Sequence, residues 1–164
     1  MAQIRDMIGY RMMAPQKWID RHQDSEVVNR VQIYEDFGEG YQEEKSYFVP
    51  EAYRGEELIV LKLQVGKDVK VLRVDPAFCS CIVEVTEMKW NGEAIPFEKQ
   101  KIFAINGRMA KPATMIFATS DPNINIDLQG FDSQENNTLS MEMKIVRVPE
   151  TMAEKLSGSI RKLF

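Results

Sequence analysis

The sequence predicts an all-β fold, an antiparallel β-sandwich with short helices at the N- and C-termini, on three observations. Apolar residues return with a period of two between Val31 and Val148, clusters of Gly, Pro, Asn and Asp interrupt that pattern at short intervals, and helical spacing is confined to the two ends. A period of two puts alternate side chains on one face of a pleated strand. Short strands separated by turns at this rate pack as two antiparallel sheets, and they leave no room for the crossover helices that parallel pairing needs.

Three segments follow: a helical or irregular extension over 1–30, the sandwich over 31–148 and a C-terminal helix over 149–164. In "IRDMIGYRMM" Ile4, Met7, Ile8 and Met12 recur at helical spacing until Pro15 interrupts them. In "EELIVLKLQV" Ile59, Leu61, Leu63 and Val65 share one strand face. "CIVEVTEMKW" starts with Cys81, Val83 and Val85 inward and continues with Met88 and Trp90, so the apolar face changes parity near Thr86 and a bulge is expected there. Asn91-Gly92 suits the positive φ values of a type I′ hairpin, and "EAIPF" returns as a strand that Pro96 keeps short or at an edge. In "TLSMEMKIVRV" Leu139, Met141, Met143 and Ile145 face the core while Ser140, Glu142 and Lys144 face out. After Pro149, Met152, Leu156, Ile160 and Leu163 recur at helical spacing, with Gly158 as a weak point.

At 164 residues the chain is the size of one domain and needs no staple to build a core. The net charge is −4, and no window combines clustered Lys/Arg with aromatics, which argues against nucleic acid as a partner. Apolar runs such as "LIVLKLQV" are too short to cross a bilayer, and Arg5 and Asp6 interrupt what a signal peptide would keep apolar, so the chain reads as cytoplasmic with no membrane partner. Cys79 and Cys81 point to the same side of a strand, where a disulfide between them would be strained. The only histidine, His22, is far from them, so they read as small thiols in a reducing compartment rather than as metal ligands.

No catalytic constellation or cofactor loop emerges, and the chain is expected not to be an enzyme. Arg73 and Asp75 lie two apart on one strand face and are expected to pair, a structural task. Asp121, Asn123, Asn125 and Asp127 fall on the spacing of an EF-hand calcium loop, but Ile126 stands where that loop needs Gly, and Asp132 where it needs Glu. Ile124, Ile126 and Leu128 between them read as a strand leaving an Asp-Pro turn. The acidic run "YEDFGEGYQEE" reads as a solvated turn. Aromatics offer a route to ligand binding, because a sugar ring stacks its C–H face on Trp or Tyr. Trp90, Asn91 and Tyr41 are the candidate ligand-binding residues, with Tyr34 and Phe37 beside Tyr41.

"VQIYEDFGEGYQEEKS", "VKVLRVDPAFCSCIVEV" with a following "WNG", "IFATSDPNINIDL" and the closing "VRVPETMAEKL", in that order, resemble the β-sandwich module attached to bacterial family 2 glycosyltransferases and rhamnan-synthesis-type proteins. The resemblance runs from about Val31 to about Leu156. It implies a non-catalytic accessory domain of jelly-roll or galactose-binding-like type, working beside enzymes that build cell-surface polysaccharide, with carbohydrate as a possible ligand. It carries no ligand residues with it, and no transferase domain stands in this chain. The alternative is a protein-interaction scaffold that meets a glycosyltransferase, or a second copy of itself, through the amphipathic ends, where Met7, Met12, Met152, Leu156 and Ile160 supply adaptable contacts.

Overall fold

The structure, a computed structural model, describes residues 30–163. The helix expected near the N-terminus, with Met7, Met12 and His22, lies outside them. In chain order the strands are β1 (Val31–Asp36), β2 (Ser46–Val49), β3 (Leu58–Gly66), β4 (Val71–Asp75), β5 (Cys81–Trp90), β6 (Glu93–Ala94), β7 (Ile102–Phe103), β8 (Arg108–Lys111), β9 (Thr114–Phe117), β10 (Ile124–Asp127) and β11 (Asn136–Arg147). A helix, α1 (Glu150–Leu163), follows them.

Two antiparallel sheets result, in a sandwich-like arrangement. The first runs β2, β1, β4, β10, β7, and the second runs β3, β11, β5, β9, β8, with β6 hairpinned onto β5. One core joins them. Ile33, Leu72, Val74, Ile124 and Ile126 of the first sheet meet Ile59, Leu61, Val83, Met115, Leu139, Met141 and Met143 of the second, all buried. These are the alternate residues of each strand, as a half-buried antiparallel sheet requires.

The parity change in β5 is a bulge. Glu142 pairs with Glu87 and Met143 with Val85, so Thr86 is the extra residue, and its hydroxyl donates to the Glu142 carbonyl at 3.2 Å. The bulge is what returns Met88 and Trp90 to the core face. At the other end of β5 the pairs Lys89–Ala94 and Trp90–Glu93 close a two-residue turn, with φ of 52° at Asn91 and 87° at Gly92. Both angles belong to a type I′ turn. Gly92→Val is therefore expected to destabilise the chain by about 1 kcal/mol or more, because a β-branched residue is forced to positive φ. Chemical denaturation of the variant measures it.

The stretch 76–80 is an arch rather than a hairpin, since β4 and β5 belong to different sheets. Tyr53 closes it by donating its hydroxyl to the Pro76 carbonyl. The α1 helix starts at the residue after Pro149 and rests on β9, β5 and β8 through the fully buried Ala153, leaving Met152 and Leu156 half-exposed. No helix among the described residues is long and apolar enough to cross a membrane.

Candidate binding surface

The outer face of the first sheet carries a row of side chains that the core does not use. Register aligns Tyr34 of β1 with Arg73 of β4, Arg73 with Asn125 of β10, and Asn125 with Phe103 of β7. Their neighbours Ile33, Leu72, Val74, Ile124 and Ile126 point into the core, so alternation sends the row outward.

Arg73 is the centre of this row. Its Nε and Nη2 donate to the two oxygens of Asp75 at 2.7 and 2.8 Å, the fork expected from their spacing in sequence. Its guanidinium lies 4.4 Å from the centre of the Tyr34 ring and 5.7 Å from that of Tyr41. Asp75 is 2% exposed, so its charge depends on this partner. Burial pushes the Asp75 carboxyl up, and Arg73 pulls it back.

The segment 37–45 folds over the β1 side of the row. Asp36 Oδ1 accepts from the amides of Gly38 and Gly40 at 2.7 and 2.9 Å, and the φ values of 110° and 90° at these residues explain the two glycines of "FGEG". Tyr41 then reaches back to donate its hydroxyl to Asn125 Oδ1 at 2.6 Å, and Tyr34 donates to Glu43 at 2.8 Å. Burial first, and then the Glu43 bond, push the Tyr34 phenol up to about 12, so it remains a donor at neutral pH.

The β7 side of the row is open. Phe103 is 41% exposed, a large apolar ring facing water beside polar groups. Asp121, with its side chain 63% exposed, sits 3.7 Å from Arg73 Nη2. Asn106 Nδ2 donates to the Asp121 carbonyl at 2.6 Å, and Asn125 Nδ2 to Asn123 Oδ1 at 3.3 Å. An open aromatic ring, an exposed carboxylate paired with Arg73 and a guanidinium held from behind by Asp75 thus share this outer face. The arrangement can stack against an apolar ring face while accepting and donating hydrogen bonds around it.

Of the residues singled out in the sequence, Tyr41 belongs to this surface, while Trp90 and Asn91 lie elsewhere, on the second sheet. Trp90 does not escape the core at its turn. It is 7% exposed, donates Nε1–H to the Asp132 carbonyl at 2.6 Å and packs at 5.4 Å against Phe131, which leaves no open ring face to stack on. The β5 bulge is the physical reason, since it sets Trp90 to the core side. Asn91 spends its amide on Asn137 Oδ1 and its carbonyl oxygen on the Thr138 amide, and so fastens the hairpin to β11.

Of Asp121, Asn123, Asn125 and Asp127 only the last two lie in β10, and their oxygens are otherwise engaged: Asn125 Oδ1 accepts from Tyr41, Asp127 Oδ1 accepts from the Gln129 amide, and Asp121 pairs with Arg73. Cys79 lies in the arch before β5 rather than on a strand beside Cys81, and burial raises the Cys81 thiol well above its ordinary value. Phe103 was not singled out by sequence. In "KIFAING" both strand faces are apolar, and only the pairing of β7 with β10 decides which side is wet. Comparison with family models, curated proteins and solved structures finds no match to this chain.

Proposed function

We propose that this chain is a non-catalytic accessory module that binds a neutral carbohydrate weakly on the outer face of its first sheet. It works in the cytoplasm beside glycosyltransferases of cell-surface polysaccharide synthesis, on a sandwich of jelly-roll or galactose-binding-like type. The observation that supports binding is the open ring of Phe103 beside Asn125, with Arg73 and its partner Asp121 one strand further along the same face. Exchange of water bonds for protein bonds gains little for each hydroxyl, so the stacked ring must supply most of the affinity, roughly millimolar to tens of micromolar. The same face supports a non-catalytic role: Asp75 has both oxygens committed to Arg73, the bonding of a support rather than of a general base.

A glycan array tests the reading. Neutral oligosaccharides are expected to bind, and Phe103→Ala is expected to lose about tenfold in affinity with an unchanged melting temperature, because the ring is nearly half exposed. The scaffold alternative draws on the half-exposed Met152 and Leu156 of α1. An array blank for every sugar, with self-association lost on deletion of 150–164, would favour it.

A further inference from the structure

A second cleft lies at the end of the sandwich, where the connection 67–70 between β3 and β4 and the connection 128–135 between β10 and β11 both pass from one sheet to the other. Its volume is about 250 Å³. Trp90, Phe131, Leu128 and Val69 give it an apolar lining, and Lys67, Lys70 and Gln129 give it polar groups. Both charged residues of the lining are cations. Lys67 is partnered by Glu135 at 3.3 Å, whereas Lys70 makes no ion pair among the described residues and lays its side chain over Gly38, from which it can swing to the cleft mouth.

The walls are already fixed. Asn137, buried, donates Nδ2–H to the Val65 and Gln134 carbonyls at 3.2 and 3.1 Å, and its Oδ1 accepts from the Gln134 amide at 2.8 Å. The Phe131 amide closes a turn on the Leu128 carbonyl at 3.1 Å, and Trp90 holds Asp132. A site held in this way loses little entropy when it is filled. Its volume falls below the range of about 300–1,000 Å³ that takes drug-sized molecules, which suits a single ring.

We infer that this cleft binds a monosaccharide carrying one anionic group, a carboxylate or a phosphate. The ring's C–H face lies on the half-buried Phe131, and the anion draws the exposed ammonium of Lys70 from its place over Gly38. This site is separate from the outer face of the first sheet and does not depend on what binds there.

The test is a titration of the ¹⁵N-labelled chain at low salt with glucuronate, glucose 6-phosphate, glucose and inorganic phosphate. The sugar anions are expected to shift the amides of Lys67, Lys70, Gln129 and Phe131 and the Trp90 indole N–H, with glucose weaker. Lys70→Gln is expected to reduce affinity for them about tenfold, as loss of a charge-assisted bond does. Lys70 is exposed, so the variant folds, and Phe103→Ala should leave the binding unchanged. A larger effect from glucuronate than from glucose 6-phosphate identifies the anion as carboxylate, and the reverse identifies phosphate. Equal binding of glucose, shifts confined to the lysines and matched by inorganic phosphate, or no shift at tens of millimolar ligand would each overturn the inference.

Discussion

Replacing Trp90 by alanine is expected to destabilise the chain by about 3–5 kcal/mol, the cost of emptying a large aromatic site in a packed core. Three observations set that scale: the ring is nearly inaccessible, its N–H is used by Asp132, and its neighbour Phe131 loses a packing partner. Thermal and urea melts measure the effect. A melting temperature within a degree or two of the parent, with sugar binding lost, would instead make Trp90 a contact residue and move the binding surface to the hairpin end.

Arg73→Ala is expected to cost about 3 kcal/mol, because it leaves Asp75 buried as an uncompensated charge. The double variant Arg73→Ala/Asp75→Asn should recover part of that loss, since the orphaned charge is then gone. The single variant also acquires a pH dependence whose sign follows from the carboxyl. With Arg73 removed, burial keeps pushing the Asp75 pKa up and the largest opposing influence is gone. A carboxyl with a folded pKa above its unfolded value of about 3.9 binds more protons when folded. Stability from this group is therefore present below about pH 4 and lost as pH rises through the folded pKa. Urea midpoints for the variant, relative to the parent, should improve as pH falls from 7 towards 4. A midpoint difference that widens on acidification would show that Asp75 does not depend on Arg73.

The strands of this fold are legible in sequence because each buries one face, so side-chain alternation and burial report the same thing. Ile59 to Val65 and Leu139 to Ile145 show it, and even the Thr86 bulge is visible as a change of parity. The Asn91-Gly92 turn is legible because only particular residues tolerate its φ values. The sheet to which each strand belongs is not legible locally. "VLRVDPAFCSCIVEV" looks like two neighbouring strands around a turn, yet β4 and β5 lie in opposite sheets, because an arch and a hairpin use the same Asp-Pro chemistry.

The candidate surface was only partly visible for the same reason. The Arg73–Asp75 fork is a contact between residues two apart and could be read directly. Tyr41 meets Asn125 across 84 residues, and Phe103 joins the row only through the pairing of β7 with β10. Trp90 misled because adjacency to a turn says nothing about which face a bulged strand presents.

Mapping a neutral oligosaccharide onto the ¹⁵N-labelled chain tests the central claim most directly, since it reports where binding occurs as well as whether it does. Saturable shifts are expected at Phe103, Asn106, Asp121 and Asn123 and at the Arg73 Nε–H, with the amides of α1 unmoved and the whole pattern abolished in Phe103→Ala. Shifts centred on α1 or on the Asn91-Gly92 hairpin, or none at about 50 mM sugar, well beyond the affinity expected of a stacked ring, would contradict it.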